Sequence, residues 1–171
     1  MNAALARVLI AFGALLVLGA VNYAIAGKER IRRDGEIVYL ELAPVDPRSL
    51  MQGDYMALRF ALTRDLERLA GDTPAREGET RLAPVTLDAR RVAHAAPAGD
   101  GGGALNLRYR IRGGQVWLST NAFFFEEDTA ERFTDARYGE FRVDRASGEA
   151  VLVGLRDAAL APLGRYASPA R

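Results

Sequence analysis

The segment PVDPRSLMQGDYMALRF, residues 44–60, predicts how the chain passes from one β-strand to the next. Pro44 and Pro47 have no backbone N–H to give to a sheet, so the preceding strand should end near Ala43. After the loop, apolar side chains recur at every second position, at Met56, Leu58, Phe60 and Leu62. Because strand side chains alternate between two faces, this spacing indicates a half-buried strand over residues 55–62. The segment therefore predicts two paired strands joined by an ordered loop.

The same period-two pattern covers much of the chain after residue 35. It predicts strands over residues 36–42, 55–62, 83–95, 104–111, 115–125, 139–144 and 149–155. Two connections are hairpin turns by composition, namely Arg112-Gly113-Gly114 and the RASG stretch at 145–148. Short connections of this kind join antiparallel strands. We therefore predict an antiparallel sheet.

Two short segments carry helical patterns instead. Residues 63–70 suit a helix with Thr63 as a possible cap. Residues 127–138 suit a second helix, because acidic side chains fall in its first turn. The predicted fold class is mainly β (α+β): an N-terminal transmembrane helix followed by one antiparallel-sheet domain with one or two short helices.

Residues 8–26, VLIAFGALLVLGAVNYAIA, form an uncharged run of about 19 residues. At about 1.5 Å per residue, a helix of this length crosses most of a ~30 Å hydrocarbon core. A basic flank follows at Lys28, Arg30, Arg32 and Arg33. The predicted divisions are an anchor at 1–27, a basic juxtamembrane linker at 28–35, a β-rich soluble domain at 36–163 and a loose tail at 164–171.

The N-terminal run also has features of a signal peptide, since AIAG at residues 24–27 resembles a cleavage site. Its length and the polar residues Asn22 and Tyr23 favour an uncleaved anchor that contacts the lipid bilayer through residues 8–26. The basic flank alone would hold the domain in the cytoplasm by the positive-inside rule. Single-anchor proteins of this layout often export their domain nonetheless, and we expect an extracytoplasmic domain.

Composition excludes several kinds of chemistry. The chain has no cysteine, which excludes disulfides, thiolate metal sites and cysteine nucleophiles. Its one histidine, His94, lies between a predicted strand and a glycine-rich loop and is expected to be a surface residue. A zinc site would need His94 with carboxylates alone, a poor ligand set. The net charge of +1 gives no field that would attract nucleic acid. We predict no metal, no cofactor and no nucleic-acid partner.

The loop between the first two strands has two interpretations. In the first, it is an ordered turn, with Gly53 supplying an unusual backbone angle and Arg48 bonded to Asp46 or Asp54. In the second, Asp46, Arg48, Gly53, Asp54 and Tyr55 form a polar surface that binds a partner or ligand, because loops on a rigid sheet often carry function. The sequence leaves both open.

The residues of this segment resemble the signature of the GDYXXLXY family of membrane-anchored bacterial proteins. Gly53-Asp54-Tyr55, Leu58 and Phe60 match the signature, and the preceding PVDPR at 44–48 matches its lead-in. Phe60 stands where the family has its closing tyrosine. The resemblance implies an anchored, extracytoplasmic β-rich domain at the bacterial inner (cytoplasmic) membrane that acts beside a polytopic membrane protein. It supplies no catalytic residue.

Three classes of function remain open, of which the first is an accessory module that binds an envelope or integral-membrane partner. The second is an inactive relative of signal-peptidase-like domains. The segment LMQGDYMAL of this chain resembles the GD-containing strand of those domains. Active enzymes of that type need a serine upstream of the strand and a lysine after it. Ser49 is too close to Gly53, and Lys28, the only lysine, precedes the motif.

The third class is an envelope hydrolase that uses a carboxylate pair, either Asp46 with Asp54 or two of the residues Glu126-Glu127-Asp128. Glycoside hydrolysis needs two carboxyls about 5 to 10 Å apart in a cleft. The acidic run also suits the solvated start of a helix. The scarcity of catalytic residue types favours the binding module over the two enzyme-like classes.

Overall fold

The computed structural model of the protein describes residues 3–43, 51–52, 55–70, 76–96, 105–127 and 129–164. Its longest element is the helix α1, Ala3–Asp34, which runs through the basic flank without a break. Only Gly35 separates α1 from the first strand, β1, Glu36–Glu41.

The strands after α1 form antiparallel sheets, as predicted, and the fold is mainly β. In chain order the further strands are β2 (Met51–Gln52), β3 (Tyr55–Ala57), β4 (Thr80–Leu87), β5 (Ala93–Ala95), β6 (Leu105–Arg112), β7 (Gln115–Leu118), β8 (Ala122–Phe124), β9 (Tyr138–Val143), β10 (Ala150–Arg156) and β11 (Pro162–Leu163). A second helix, α2, spans Ala61–Ala70.

The strands are arranged in three sheets that share one hydrophobic core. The strand orders are β1-β9-β10-β11, β2-β3-β8 and β5-β4-β6-β7. Single bridges join Tyr39 of β1 to Val92, the residue before β5, and Leu42, the residue after β1, to Phe60, the residue before α2. Side chains of β1, β3, β4, β6, β9 and α2 meet in the core, where Phe60 and Phe141 pack edge to face at 5.4 Å.

Both predicted hairpins are confirmed. Gly113 and Gly114 have φ of 56° and 71°, the positive values that a two-residue turn between β6 and β7 requires. Strands β9 and β10 pair from Val143 with Ala150 onward, across the turn at 145–148. Burial along β6 alternates strictly, with Leu105, Leu107, Tyr109 and Ile111 inside and the residues between them outside.

The predicted strand over 55–62 is wrong in its second half. Strand β3 ends at Ala57, and α2 begins at Ala61, two residues before the predicted start. Met56, Leu58, Phe60 and Leu62 are all buried as predicted, but burial at every second position continues here across a change of backbone conformation. Thr63 lies inside the first turn of α2, where its hydroxyl donates to the Phe60 carbonyl at 2.7 Å.

The predicted single strand at 83–95 is two strands, β4 and β5. The chain turns between them because the Asp88 carboxylate accepts hydrogen bonds from the backbone N–H groups of Arg90 and Val92, both at 2.8 Å. These bonds are the main reason that the pKa of Asp88 lies below its usual value, with the Val92 contact the largest cause.

The predicted helix at 127–138 is wrong. Among the described residues of that range, only Ala130–Phe133 form a helical turn, of the 3-10 type. Tyr138 already belongs to β9, where it pairs with both Glu41 and Arg156. Leu163, the last residue of the predicted β-rich domain, pairs with Leu155 in β11.

A buried ion pair lies between β9 and β10. Glu140 is 7% exposed, and the Arg156 Nε donates to its Oε2 at 2.6 Å. The two residues sit beside the register shift between Leu152 and Gly154, which brings Gly154 opposite Glu140. A carboxylate this far from water depends on its cationic partner, since burial of an unpaired charge is strongly unfavourable.

We predict that Arg156→Met destabilises the protein by about 3 kcal/mol, because it leaves Glu140 buried without a counter-charge. The double variant Glu140→Leu with Arg156→Met should recover most of that loss. Denaturant unfolding of the full chain in detergent, followed through the emission of Trp117, measures both. A single variant as stable as the wild type would contradict the dependence of Glu140 on Arg156.

The turn between β9 and β10 is held by a carboxylate as well. Asp144 Oδ2 accepts hydrogen bonds from the Ser147 hydroxyl at 2.6 Å and the Ser147 N–H at 3.2 Å. The hydroxyl contact is the largest cause that lowers the pKa of Asp144. A carboxyl whose pKa is lowered by folding stabilises the fold above its unfolded pKa, and this contribution is lost as the pH falls through the folded value.

We therefore expect Asp144→Asn to lower the melting temperature at pH 7, and the difference from the wild type to close as the pH falls below about 4. Thermal unfolding between pH 3 and pH 7 checks this. Asp135→Asn removes the same charge from an exposed turn and serves as the control. A difference that persists unchanged at low pH would exclude the carboxylate as its source.

Candidate functional site

The motif strand β3 is the middle strand of the small sheet, with β2 on one side and β8 on the other. Met56 pairs with Phe123, and both side chains point into the core. The chain then continues through Leu58, whose N–H donates to the Asn121 carbonyl at 2.7 Å. These contacts fix the strand that follows the motif loop against the interior of the domain.

The outer face of this sheet carries an aromatic pair. Tyr55 lies directly opposite Phe124, and their ring centroids are 5.9 Å apart with the planes tilted by 41°. Tyr55 is half-buried, whereas Phe124 is 70% exposed. Phe123 and Phe124 of β8 are followed directly by Phe125. Phe123 packs on Phe133 with ring centroids 5.0 Å apart and Phe125 packs on the same ring at 5.5 Å, so Phe124 alone of the three points outward.

The predicted loop site falls mostly outside the described residues. Asp46, Arg48, Gly53 and Asp54 are not among them, so the choice between an ordered turn and a binding surface stays a prediction. Tyr55 is the member that the structure places, and it belongs to the aromatic pair. Ser49 and Asp128 also lie outside the described residues.

The remaining sequence candidates lie apart from the motif strand in the chain and at the surface. Glu126 and Glu127 are exposed after β8. His94 is exposed on β5, with its Nε2 3.6 Å from an Asp88 carboxylate oxygen. Lys28 forms an ion pair with Glu149 rather than approaching the motif strand. The part of the chain that the structure describes contains no group of three acidic or histidine residues that could hold a metal ion.

Helix α1 presents apolar side chains to its surroundings along almost all of its length. The large apolar side chains described between Leu5 and Ile25 are exposed, Tyr23 most of all, and Ile31 is the first buried one described. The helix is long and apolar enough to cross a membrane. This finding supports the predicted anchor on length and composition.

Sequence reasoning missed Phe124, although a signal for it was present. Three consecutive phenylalanines cannot all face the core in a strand, because successive side chains point to opposite faces. The sequence alone did not tell which of the three is the outward one, because that depends on the pairing of Phe123 with the buried Met56.

A long apolar helix leading into antiparallel sheets, with an aromatic pair formed by the motif strand and its neighbour β8, defines a helix-led, β-rich protein. The chain belongs to the GDYXXLXY protein family, whose model matches residues 17–155. The match extends from the apolar helix to β10, well beyond the motif. No curated protein and no solved structure matches the chain. Phe60, at the position of the family's closing tyrosine, is 1% exposed and packs on Phe141, a site with no need of a hydroxyl.

Proposed function

We propose that this protein is a single-pass membrane protein of the bacterial envelope whose β-rich domain lies outside the cytoplasm and binds an integral-membrane partner as an accessory module. The observation that carries the proposal is the exposed Phe124 ring, held by Tyr55 on the outer face of the motif strand. The partner surface thus consists of this aromatic pair and the adjacent motif loop.

The chemistry of the pair supports a protein partner. Removing an exposed phenylalanine side chain from water contributes about 1.5 to 3 kcal/mol, and aromatic side chains dominate the energetics of many interfaces. Tyr55 restricts the Phe124 ring before binding, which lowers the conformational entropy lost when a partner covers it. The pair is supported from below by Met56 and Phe123, both buried, so the surface is rigid.

The apolar surface of α1 supports placement in a membrane. In the described part of the chain, its large apolar side chains before Ile31 are exposed, and a helix that is apolar all round is stable where lipid or protein covers it. Residues 8–26 would contact the bilayer, and the basic residues that follow would meet the headgroups. A partner with several transmembrane helices could then contact α1 and the aromatic pair together.

We expect Phe124→Ser to weaken capture of the partner by about tenfold or more, because the ring's burial in the complex is lost. Pull-down from detergent extracts of the native host, using the full chain as bait and quantifying the co-purified integral-membrane protein, measures this. Leu82→Ser is the matched control, since Leu82 is the other large apolar side chain described as exposed on the strands, at 53%. Equal loss with both variants, or none with Phe124→Ser, would refute the aromatic surface.

The same capture experiment separates the two interpretations of the motif loop. If Arg48 only holds the loop, Arg48→Ala should lower the melting temperature and the capture together. If Arg48 contacts the partner, capture should fall while stability stays within about 0.5 kcal/mol of the wild type, as is usual for an exposed side chain.

We expect the full-length protein to stay in the membrane pellet after alkaline carbonate and high-salt washes, because apolar contacts rather than charges hold it. A reporter enzyme active only outside the cytoplasm, fused after Leu163, should be active. Recovery of a soluble product that begins at Gly27 would show cleavage and contradict the anchor. An inactive external reporter with an active cytoplasmic one would reverse the orientation and leave the anchor intact.

A further inference from the structure

A basic cleft of about 580 Å³ lies between the end of α1 and the outer face of β6 and β7. Lys28 of α1 lines one side. Arg108, Arg110 and Arg112 line the other, with Trp117 of β7 among them. The arginines occupy alternate positions of β6, all on the exposed face, so neighbouring charges follow one another at about 7 Å along the strand.

The three arginines have no acidic neighbour across the sheet. In the strand register Arg108 lies opposite Leu82, Arg110 lies between Thr80 and Trp117, and Arg112 faces Gln115. None of the three forms an ion pair with the described residues. Arg112 stacks over the Trp117 ring at 5.3 Å from its centroid. Like charges in a row repel one another, so this face is suited to an anion that neutralises them.

The one acidic group in the cleft is already paired. Glu149, at the start of β10, receives the Lys28 ammonium. This ion pair draws the end of α1 toward the arginine face, and the backbone N–H of Arg108 reinforces the contact by donating to the Gly148 carbonyl at 2.7 Å. The cleft is thereby formed by the helix and the sheet together.

The cleft also opens beside the apolar run of α1. Lys28 follows residue 26, the end of that run, by two residues, a rise of about 3 Å along the helix. A membrane that covers residues 8–26 would therefore place the Lys28 side of the cleft at the depth of the lipid headgroups. Arginine side chains and tryptophan are the residues that meet phosphate groups and the interface at that depth.

We propose that this cleft binds the phosphate of an anionic phospholipid headgroup. Arg108 and Arg110 supply guanidinium donors to the phosphate oxygens, and Trp117 packs against the glycerol region of the lipid. The site rests on the proposed membrane placement of α1 and is independent of the partner surface at Phe124. A free phosphate offers the same oxygens without the acyl chains, and the test below separates the two sources.

The test uses Trp117, the only tryptophan of the chain, as the reporter. The full-length protein is reconstituted into phosphatidylcholine nanodiscs with trace lipid that carries a nitroxide quencher near the headgroup. The quencher is attached either to phosphatidylglycerol or to phosphatidylcholine. We expect the anionic lipid to quench Trp117 more strongly, with an enrichment of about fivefold for each cationic side chain that engages it.

The double variant Arg108→Gln with Arg110→Gln should bring the quenching ratio of the two lipids close to one, and Arg112 stays in place to preserve the Trp117 stacking. Arg68→Gln with Arg132→Gln removes the same charge from exposed positions on other elements and should keep the wild-type ratio. A wild-type ratio near one in protein that co-elutes with the discs would overturn the lipid site.

Further outcomes distinguish a lipid ligand from a free phosphate, and an error in the headgroup site from an error in the membrane placement of α1. If inorganic phosphate shifts the Trp117 emission in neutral discs while the lipid ratio stays near one, the ligand is a free phosphate and the lipid proposal is refuted. If the protein fails to co-elute with the discs, the membrane placement itself is wrong, and the headgroup site falls with it. If the arginine variants still capture the integral-membrane partner in the pull-down, the basic cleft and the aromatic surface at Phe124 act separately.

Discussion

The junction at Gly35 is the constraint on which the arrangement of this protein depends. The Gly35 N–H donates to the Ile31 carbonyl at 2.8 Å, closing α1, and its own carbonyl accepts from Arg142 Nη1 of β9 at 3.1 Å. A side-chain carbon at this position would lie 2.4 Å from the Ile31 carbonyl oxygen and 3.0 Å from the Arg142 Cβ, too close for any residue but glycine. The helix therefore ends against the central strand of its sheet, and the position of β1 follows from it.

Polar contacts of β1 also fix the positions of two neighbouring turns. Glu36, the first residue of β1, forms ion pairs with Arg91 at 2.7 Å and with Arg145 at 2.5 Å, so the β4–β5 and β9–β10 turns meet at one carboxylate. Farther along, the Ser119 hydroxyl donates to the Ala150 carbonyl at 2.5 Å, and Asn121 accepts from Leu58. The segment from Ser119 to Ala122 lines the basic cleft and leads into the strand of Phe124, which connects the two candidate surfaces through one short, hydrogen-bonded stretch.

The sequence predicted the elements whose geometry is local. The β6–β7 and β9–β10 hairpins follow from turn composition and alternation, both of which act over a few residues. The errors arose where distant contacts decide the backbone: the ladder between β3 and β8 ends at Ala57, and the end of the 127–138 segment joins β9, where Tyr138 pairs with Glu41. The candidate surfaces likewise divide into residues that the local sequence predicts and residues that only the tertiary fold brings together. Tyr55 was predicted from the motif, whereas Phe124 and the Lys28–Glu149 contact, which joins residues 121 positions apart, depend on the tertiary fold.

The connection between α1 and β1 is only one residue long, and this affects how the protein would encounter its partners. With one residue between helix and sheet, a bilayer that holds α1 would hold the domain at a fixed height and confine it to diffusion in the plane of the membrane. Encounters would then occur by a two-dimensional search, in which even a weak contact is favoured by a high effective concentration. Molecules in bulk solution gain no such advantage, so tethering itself would select for partners that share the same lipid sheet.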